Sequence, residues 1–405
     1  MSPQRWAVAL IVCAQWLGTS LWFSPNSAAD DLIQAWQIGP SQFAWLIAAT
    51  QAGFITGTLY LAYSGWADRY STSRIFSMAC VLGAVINAML AVAGNGFESG
   101  LVLRFAVGIC LAGIYPLGMK MIVGWVGGKS GSALGLLVGM LTLGTALPHG
   151  VRALGASLPW QTVIQVSSVL ALAGAALVFF LGDGPYLKKS DGQRSASLAK
   201  AFGVFRIPDF RAAALGYFGH MWELYAFWAV LPWIAAQLLL DAGPSQWGLP
   251  GSVAAISFLC IAAGFLGCVC GGRISLKIDS VYVAAFALLA SGVLCLIYPL
   301  LPSGWLLPRF AVLLAWGVFV VADSPQFSSI SARSCPPQSV GSALAVQNSI
   351  GFLISIVSIT LLLTVIDILG SRALWILLLG PLLGLAGLWP LLARTRTKAR
   401  VAARC

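Results

Sequence analysis

Residues 281–301 read VYVAAFALLASGVLCLIYPLL and contain no charged side chain. A helix that crosses a bilayer needs ~20 mostly apolar residues, and this run has that length. The rest of the chain is similar, because 59% of its 405 residues are hydrophobic and only 9% are charged. Lipid cannot satisfy exposed backbone groups, and continuous rather than alternating hydrophobicity excludes a transmembrane β-barrel. The sequence therefore predicts an all-α integral membrane protein.

The apolar runs predict about twelve transmembrane spans, at residues 6–29, 41–63, 74–94, 101–124, 131–150, 160–182, 212–238, 251–271, 281–301, 309–331, 340–366 and 373–392. An even number places both termini on one side of the membrane. Of the 23 Lys and Arg residues, the loops on the opposite side hold only Arg152 and Arg372. The positive-inside rule then predicts a multi-pass protein of the cell inner membrane with both termini in the cytoplasm.

The net charge of +11 comes mainly from the central loop and the C-terminal tail. Cationic edges of this kind face anionic lipid headgroups, so we expect lipids and not nucleic acid as partners. The nine cysteines are scattered mostly within spans, and His149 and His220 are the only histidines. We therefore expect no metal, no cofactor and no disulfide framework.

Two tetrapeptides recur at nearly the same shift along the chain. Arg104-Phe105-Ala106-Val107 returns as Arg309-Phe310-Ala311-Val312, and Gly131-Ser132-Ala133-Leu134 returns as Gly341-Ser342-Ala343-Leu344. Each copy opens the equivalent span of its half. The two halves are thus predicted to be repeats of one six-helix unit, related by an axis along the membrane normal with a site between them near the midplane.

The predicted organisation has three parts. They are an N-terminal six-helix bundle at 1–182, a cytoplasmic linker at 183–211, and a C-terminal six-helix bundle with a basic tail at 212–405. Glycine pairs such as Gly380 and Gly384 allow helices to approach closely within such bundles.

Two motifs resemble those of the major facilitator superfamily. The loop Ser64-Gly65-Trp66-Ala67-Asp68-Arg69-Tyr70-Ser71-Thr72-Ser73-Arg74 is similar to the family's signature Gly-x-Leu-Ala-Asp-Arg-x-Gly-Arg-Arg, with Ser64 in place of its first glycine. Arg104-x-x-x-Gly108, followed by Ala112, Gly113 and Pro116, resembles a second family motif. The resemblance covers the whole chain. It implies two pseudo-symmetric six-helix bundles, alternating access and a functional monomer.

The resemblance also implies a cytoplasmic gate at the loop between the second and third spans. There Asp68, together with Arg69 and Arg74, would form a latch in which the Asp68 carboxylate faces a helix N-terminus of the other half. An anion near a helix dipole contributes typically ~0.3–1 kcal/mol, which is enough to bias a two-state equilibrium. The alternative is a solvated loop whose charges only set orientation.

Charged side chains within spans mark candidate functional positions, because each costs ~2.5–3.5 kcal/mol on insertion scales. Glu223 lies near the middle of the seventh span, with His220 one turn before it on the same face. Burial favours the neutral carboxyl and a nearby imidazolium opposes that effect, so the pair predicts a proton carrier. The alternative is a hydrogen-bonded pair that only fixes a helix interface.

The tenth span contains the second intramembrane acid, in Asp323-Ser324-Pro325-Gln326. Pro325 frees a backbone carbonyl and can kink the helix, so this segment is predicted to be a binding element. Arg104 is a candidate counter-charge from the other half, or alternatively an interfacial anchor.

Neutral polar side chains extend the predicted substrate path. In the first span Gln15, Thr19, Trp22 and Asn26 are spaced as one helical face, and the fifth span places Thr142, Thr145 and His149 on one face. The predicted path also includes Gln51, Tyr225, Gln326, Gln347 and Asn348. The family resemblance implies that the first, fourth, seventh and tenth spans line it. Any single polar residue could instead serve only to join helices.

These features predict a proton-coupled secondary transporter of a small polar organic metabolite, with an acidic cavity that favours a neutral or cationic substrate. A proton-driven efflux antiporter is the alternative, although the family's Gly-Pro pair is absent from the fifth span, where Pro148 is isolated. A non-transporting receptor on the same fold is a third possibility. No Gly-rich phosphate loop with Lys is present, so neither an ATP-driven pump nor an enzyme is expected.

Overall fold

The computed structural model describes residues 2–64, 66–94, 96–126, 131–155, 158–186, 202–242, 252–336 and 340–402. Every regular element within these ranges is helical. The N-terminal half contains α1 Pro3–Gly18, α2 Ala29–Trp36, α3 Pro40–Ser64, α4 Trp66–Arg69, α5 Thr72–Ala93, α6 Phe97–Ala112, α7 Tyr115–Val126, α8 Gly131–Leu154 and α9 Trp160–Phe179. The C-terminal half contains α10 Pro208–Ala242, α11 Val253–Ile274, α12 Ser280–Ile297, α13 Leu306–Ala322, α14 Ser324–Arg333, α15 Val340–Leu369 and α16 Leu379–Ala402.

Ten helical stretches of the described chain are long and apolar enough to cross a membrane, and eleven if the bent pair at the N-terminus forms one span. The longest stretch, Val340–Thr397, has 58 residues, whereas one crossing needs ~20. It contains α15 and α16 with the 3₁₀ segment Gly370–Ile376 between them. If the bent N-terminal pair is one span and this stretch is divided at Gly370–Ile376, the described chain has room for the twelve predicted crossings.

The surface of the bundle is apolar where it would face lipid. On α5 the exposed side chains fall on one helical face, at Met78, Val81, Leu82, Val85, Met89 and Val92. The buried polar side chains of the same helix, Ser77 and Asn87, point into the protein. This arrangement is the reverse of a soluble bundle and agrees with a membrane protein.

Three of the spans are interrupted. The first consists of α1, 3₁₀ turns and α2, with an overall bend of 45°. The fourth breaks between α6 and α7 at Gly113, and the tenth breaks between α13 and α14 at Asp323. Pro325 has no N–H for the carbonyl of Val321, which instead accepts from the backbone N–H of Asp323 and from the Cys268 thiol at 3.5 Å. The seventh span is instead one continuous helix, α10, which passes through Pro232.

Two helix pairs join the halves. Helix α8 packs along α11, and α3 packs along α15. At the first of these seams, a Cβ added to Gly139 would lie 2.9 Å from the ring of Phe265, so only glycine allows this approach. Within the C-terminal half, a Cβ on Gly219 would lie 2.3 Å from the carbonyl oxygen of Gly380. The predicted close packing at Gly380 and Gly384 therefore occurs, against α10.

The predicted linker begins with a structural contact. Asp183 accepts a hydrogen bond of 2.7 Å from the backbone N–H of Thr72, and thereby caps the start of α5. Residues 187–201 lie outside the described residues. Helix α10 begins at Pro208, so the last residues assigned to the linker belong to the seventh span.

Candidate functional site

Four aromatic rings from both halves meet at the centre of the seam. Trp22 and Phe54 come from the N-terminal half, and Tyr225 and Phe352 from the C-terminal half. Ring centroids are 4.4 Å apart for Phe54 and Phe352, 5.5 Å for Trp22 and Phe352, and 5.0 Å for Tyr225 and Phe352. We call these four residues the aromatic cluster. It fills the space between the halves at this point, because all four side chains are at most 3% exposed.

His220 and Asp323 form a buried pair next to the aromatic cluster, which is an ion pair when the imidazole is protonated. The distance between His220 Nδ1 and Asp323 Oδ1 is 2.7 Å, and each side chain is 1% exposed. The contact has the length of an ion pair but not the angles of a hydrogen bond. Asp323 occupies the break of the tenth span, so the chain interruption and the buried charge coincide.

Glu223 lies on a different side of α10, and the predicted pairing of His220 with Glu223 is wrong. Glu223 accepts hydrogen bonds from Trp316 Nε1 at 2.7 Å and from the Ser291 hydroxyl at 2.9 Å. Residues three apart on a helix differ by about 60° in direction. That rotation turns Glu223 towards α12 and α13, whereas His220 faces the break at Asp323.

A small cavity of about 20 Å³ lies beside the ion pair, between Tyr115, Tyr217, His220, Tyr225, Ser324 and Phe352. Sequence reasoning named His220 and Tyr225 but missed Tyr115 and Tyr217. Both tyrosines are buried. Their polar tips within apolar spans were an available signal, since a buried tyrosine hydroxyl usually seeks a partner.

Several buried polar atoms of the predicted path have no hydrogen-bond partner among the described residues. They include both amide atoms of Gln15 and of Gln51, Nε1 of Trp22, Nε2 of His220 and Oε1 of Gln347. Gln326 and Asn348 are also buried. Most buried side-chain polar atoms in proteins have a partner, so these are the atoms of the predicted path that are available to a substrate or to water.

The predicted polar stripe of the first span is only partly correct, because the helix does not continue through it. Helix α1 ends at Gly18, and the N–H of Trp22 bonds to the carbonyl of Thr19 in a 3₁₀ turn. Gln15 and Thr19 do share a face, since the Thr19 hydroxyl donates to the Gln15 carbonyl at 2.8 Å. Asn26 lies beyond the break, near His149 at the mouth of the seam.

Arg104 explains how the break in the first span is stabilised. Its guanidinium donates to the carbonyls of Leu21 at 3.2 Å and Trp22 at 2.6 Å, to Asn87 Oδ1 at 3.1 Å and to the Thr50 hydroxyl at 3.0 Å. The two carbonyls lack helical donors because the 3₁₀ turns interrupt the α-helical pattern. These described partners all belong to the N-terminal half, and none is an acid.

The predicted gating loop is described in part. Arg69 and Arg74 are exposed at α4 and at the start of α5. The side chain of Asp68 lies outside the described residues, so the latch remains a prediction.

Lys120 is an intramembrane charge that sequence reasoning did not select. It lies in α7, the second part of the fourth span, and is half-buried. The signal was the one that identified Glu223 and Asp323, namely a charged residue within an apolar run.

Comparison with known proteins agrees with this architecture. Residues 8–359 match the family model of the Major Facilitator Superfamily. The chain is also 29% identical over 146 residues to the 3-(3-hydroxy-phenyl)propionate transporter of Escherichia coli (strain K12). That match covers 36% of this chain and 36% of the relative, so the chain spans about a third of the curated relative's length. The predicted resemblance is confirmed, both comparisons support a membrane transporter, and the chain belongs to the Major Facilitator Superfamily.

Proposed function

We propose that the protein is a secondary transporter that moves a small polar organic metabolite across the inner membrane by alternating access, coupled to protons. The observation that carries this proposal is the His220 and Asp323 ion pair, which lies fully buried at a helix break beside the seam of the two halves. A charged pair at such depth is expensive unless it serves an ion or substrate pathway.

The seam supplies the movement that alternating access requires. At the aromatic cluster the contacts between the halves are contacts between rings, such as that of Phe54 with Phe352 across the seam. Ring contacts of about 0.5–1.5 kcal/mol each can be broken and remade during a transport cycle. Helix breaks at Asp323 and Gly113 allow the inner parts of two spans to tilt separately from their outer parts.

Asp323 and Glu223 have different roles in the proposed transport cycle. Asp323 and His220 contact the path and bind substrate and proton together. Glu223 lies within the C-terminal half, where Ser291 and Trp316 donate to its carboxyl group. It takes and releases the coupling proton when the tilt of α13 changes those two contacts.

The substrate proposed is an aromatic carboxylic acid. The preference for a neutral or cationic substrate assumed a free acidic group, whereas Asp323 is paired with His220. The aromatic cluster offers ring surfaces, and a protonated His220 attracts a carboxylate. The E. coli relative, named for 3-(3-hydroxy-phenyl)propionate, is a transporter of such a compound.

The test is proton flux in proteoliposomes of the full chain that contain a fluorescent pH probe. Addition of 3-(3-hydroxyphenyl)propionate, and then of pooled metabolites, should change the internal pH in wild-type vesicles and leave vesicles of the Asp323→Asn variant unchanged. A wild-type protein that is folded and binds these compounds yet never moves protons or substrate would overturn the proposal in favour of a receptor.

A further inference from the structure

A second cavity lies at the mouth of the seam, at the end of the bundle opposite the N-terminus. Its volume is about 180 Å³, and its walls come from both halves. Asn26 and the start of α2 form one wall, His149 and Arg152 of α8 a second, and Pro232 with the start of α11 a third. We call this space the mouth cavity. It is separate from the central cavity at His220.

Two buried side chains of the mouth cavity have hydrogen-bonding atoms without described partners. His149 is 1% exposed and its Nε2 atom has no partner, while Asn26 is 4% exposed and its Nδ2 atom has none. The Asn26 amide nitrogen is a donor, and the imidazole Nε2 is a donor when it bears a proton. An acceptor ligand in the cavity would satisfy both.

Two helix N-termini end at the same cavity. Helix α2 begins there after Ala28, which provides no side-chain cap, and α11 begins there after Ser252. The Ser252 side chain accepts from the N–H of Ala255, so the N–H groups of Val253 and Ala254 lack intrahelical acceptors. The first turn of α2 already contains Asp30 and Asp31, whereas that of α11 contains no acid, so the N-terminus of α11 presents the stronger partial positive charge, which favours an anion.

The ionic groups of the mouth cavity indicate which anion it takes. Arg152 donates to Asp31 Oδ2 at 2.6 Å and to the carbonyl of Leu158. Asp31 therefore already places a carboxylate on the guanidinium. The other acid, Asp30, is exposed, so solvent screens its charge. A carboxylate from solution would contact the same guanidinium, the two helix N-termini and the Asn26 amide.

We infer that the mouth cavity is a binding site for a small carboxylate anion, which competes with Asp31 for Arg152. The natural source of that carboxylate would be the transported acid, and this identification rests on the proposed function. Occupancy releases α2 from α8, because the ion pair between Asp31 and Arg152 joins those helices.

The experiment measures binding of benzoate to the purified full chain by isothermal titration calorimetry, with benzyl alcohol and inorganic phosphate as comparison ligands at constant ionic strength. Arg152→Gln should weaken benzoate binding about tenfold or more, since it removes a charge-assisted hydrogen bond to the carboxylate. Asp31→Asn removes the competitor, so it should tighten binding about two- to fivefold. Arg372→Gln is the matched control, because Arg372 is exposed and does not line the cavity.

The sign of the Asp31→Asn effect separates this inference from a purely structural ion pair, and it stays informative if Arg152→Gln fails to fold. Benzoate binding that is absent, or equal in the wild type and both cavity variants, would overturn the inference, as would phosphate or benzyl alcohol binding as tightly. Binding with the predicted signs in a protein that transports nothing would retain the site and reject the proposed function.

Discussion

Arg104 and Arg309 occupy equivalent places in the two halves but hold different structures together. Arg104 is buried and donates to four acceptors, two of them main-chain carbonyls in the broken first span. Arg309 pairs with Asp241 near the end of the continuous helix α10, and its guanidinium lies 5.5 Å from the centre of the Tyr298 ring. The repeated tetrapeptide therefore preserves a position and not a set of contacts.

The comparison extends to the charges near the seam. In the N-terminal half the buried polar groups include the neutral Gln15, Thr19 and Gln51 and the ionisable His149, and the guanidinium of Arg104 is used by the backbone. In the C-terminal half His220, Glu223 and Asp323 are buried and ionisable. Among the described residues, the buried acids therefore lie in the C-terminal half, whereas the N-terminal half has the broken first span.

The largest expected effect comes from removing the Arg104 guanidinium. Arg104→Gln removes the side-chain donor to the carbonyl of Trp22 and one of the two donors to the carbonyl of Leu21, which keeps the Ser24 hydroxyl, and we expect a loss of unfolding free energy of about 3 kcal/mol or more. Arg309→Gln removes a contact between a buried guanidinium and a carboxylate that is 32% exposed, so water can still solvate Asp241, and the loss should be smaller, about 1–2 kcal/mol. Thermal unfolding in detergent, followed by circular dichroism, compares the two. Equal losses would contradict the different roles assigned to the repeated arginines.

The next effect concerns the pairing within the C-terminal half. A double-mutant cycle of His220→Gln and Asp323→Asn should give a coupling free energy of about 1–3 kcal/mol, because these side chains are in contact. The cycle of His220→Gln and Glu223→Gln should give about 0.5 kcal/mol or less. Chemical or thermal unfolding supplies all the values. A larger coupling in the second cycle would restore the pairing predicted from sequence and reject the observed one.

The last and most local effect is expected at the aromatic cluster. Phe352→Ala removes ring contacts across the seam, each worth about 0.5–1.5 kcal/mol, and should shift the population towards a state in which the halves are separated there. Hydrogen exchange in α3 and α15 should then increase. Phe180→Ala is the control, because Phe180 is 90% exposed. Unchanged exchange in Phe352→Ala would show that these rings do not hold the seam closed.

Much of the fold was predictable because the bilayer sets both the length of the apolar runs and the distribution of Lys and Arg between its two sides. The predicted all-helical class is confirmed, and runs such as 281–301 correspond closely to observed helices. The break in the first span was not predicted, since its carbonyls are satisfied by Arg104 from another span. Sequence periodicity shows only the helix to which a residue belongs and not a distant donor.

The candidate site was predictable to a similar degree. The free-energy cost of placing an ionisable side chain within an apolar span identified Glu223, Asp323 and His220 as unusual residues, and all three are buried. The pairing was wrong because spacing along one helix was used where the partner lay on another. Tyr115 and Tyr217 were missed because a single tyrosine in an apolar span is common and acquires meaning only from its neighbours.

The most direct test of the divided roles is to measure uphill uptake and substrate exchange in the same proteoliposomes, with 3-(3-hydroxyphenyl)propionate as the substrate. Glu223→Gln keeps the shape of the side chain but cannot release a proton, so it should abolish uphill uptake and retain exchange. Asp323→Asn should abolish both, because the proposed path runs along the pair of Asp323 and His220. Undiminished uphill uptake by Glu223→Gln, or normal exchange by Asp323→Asn, would contradict the account.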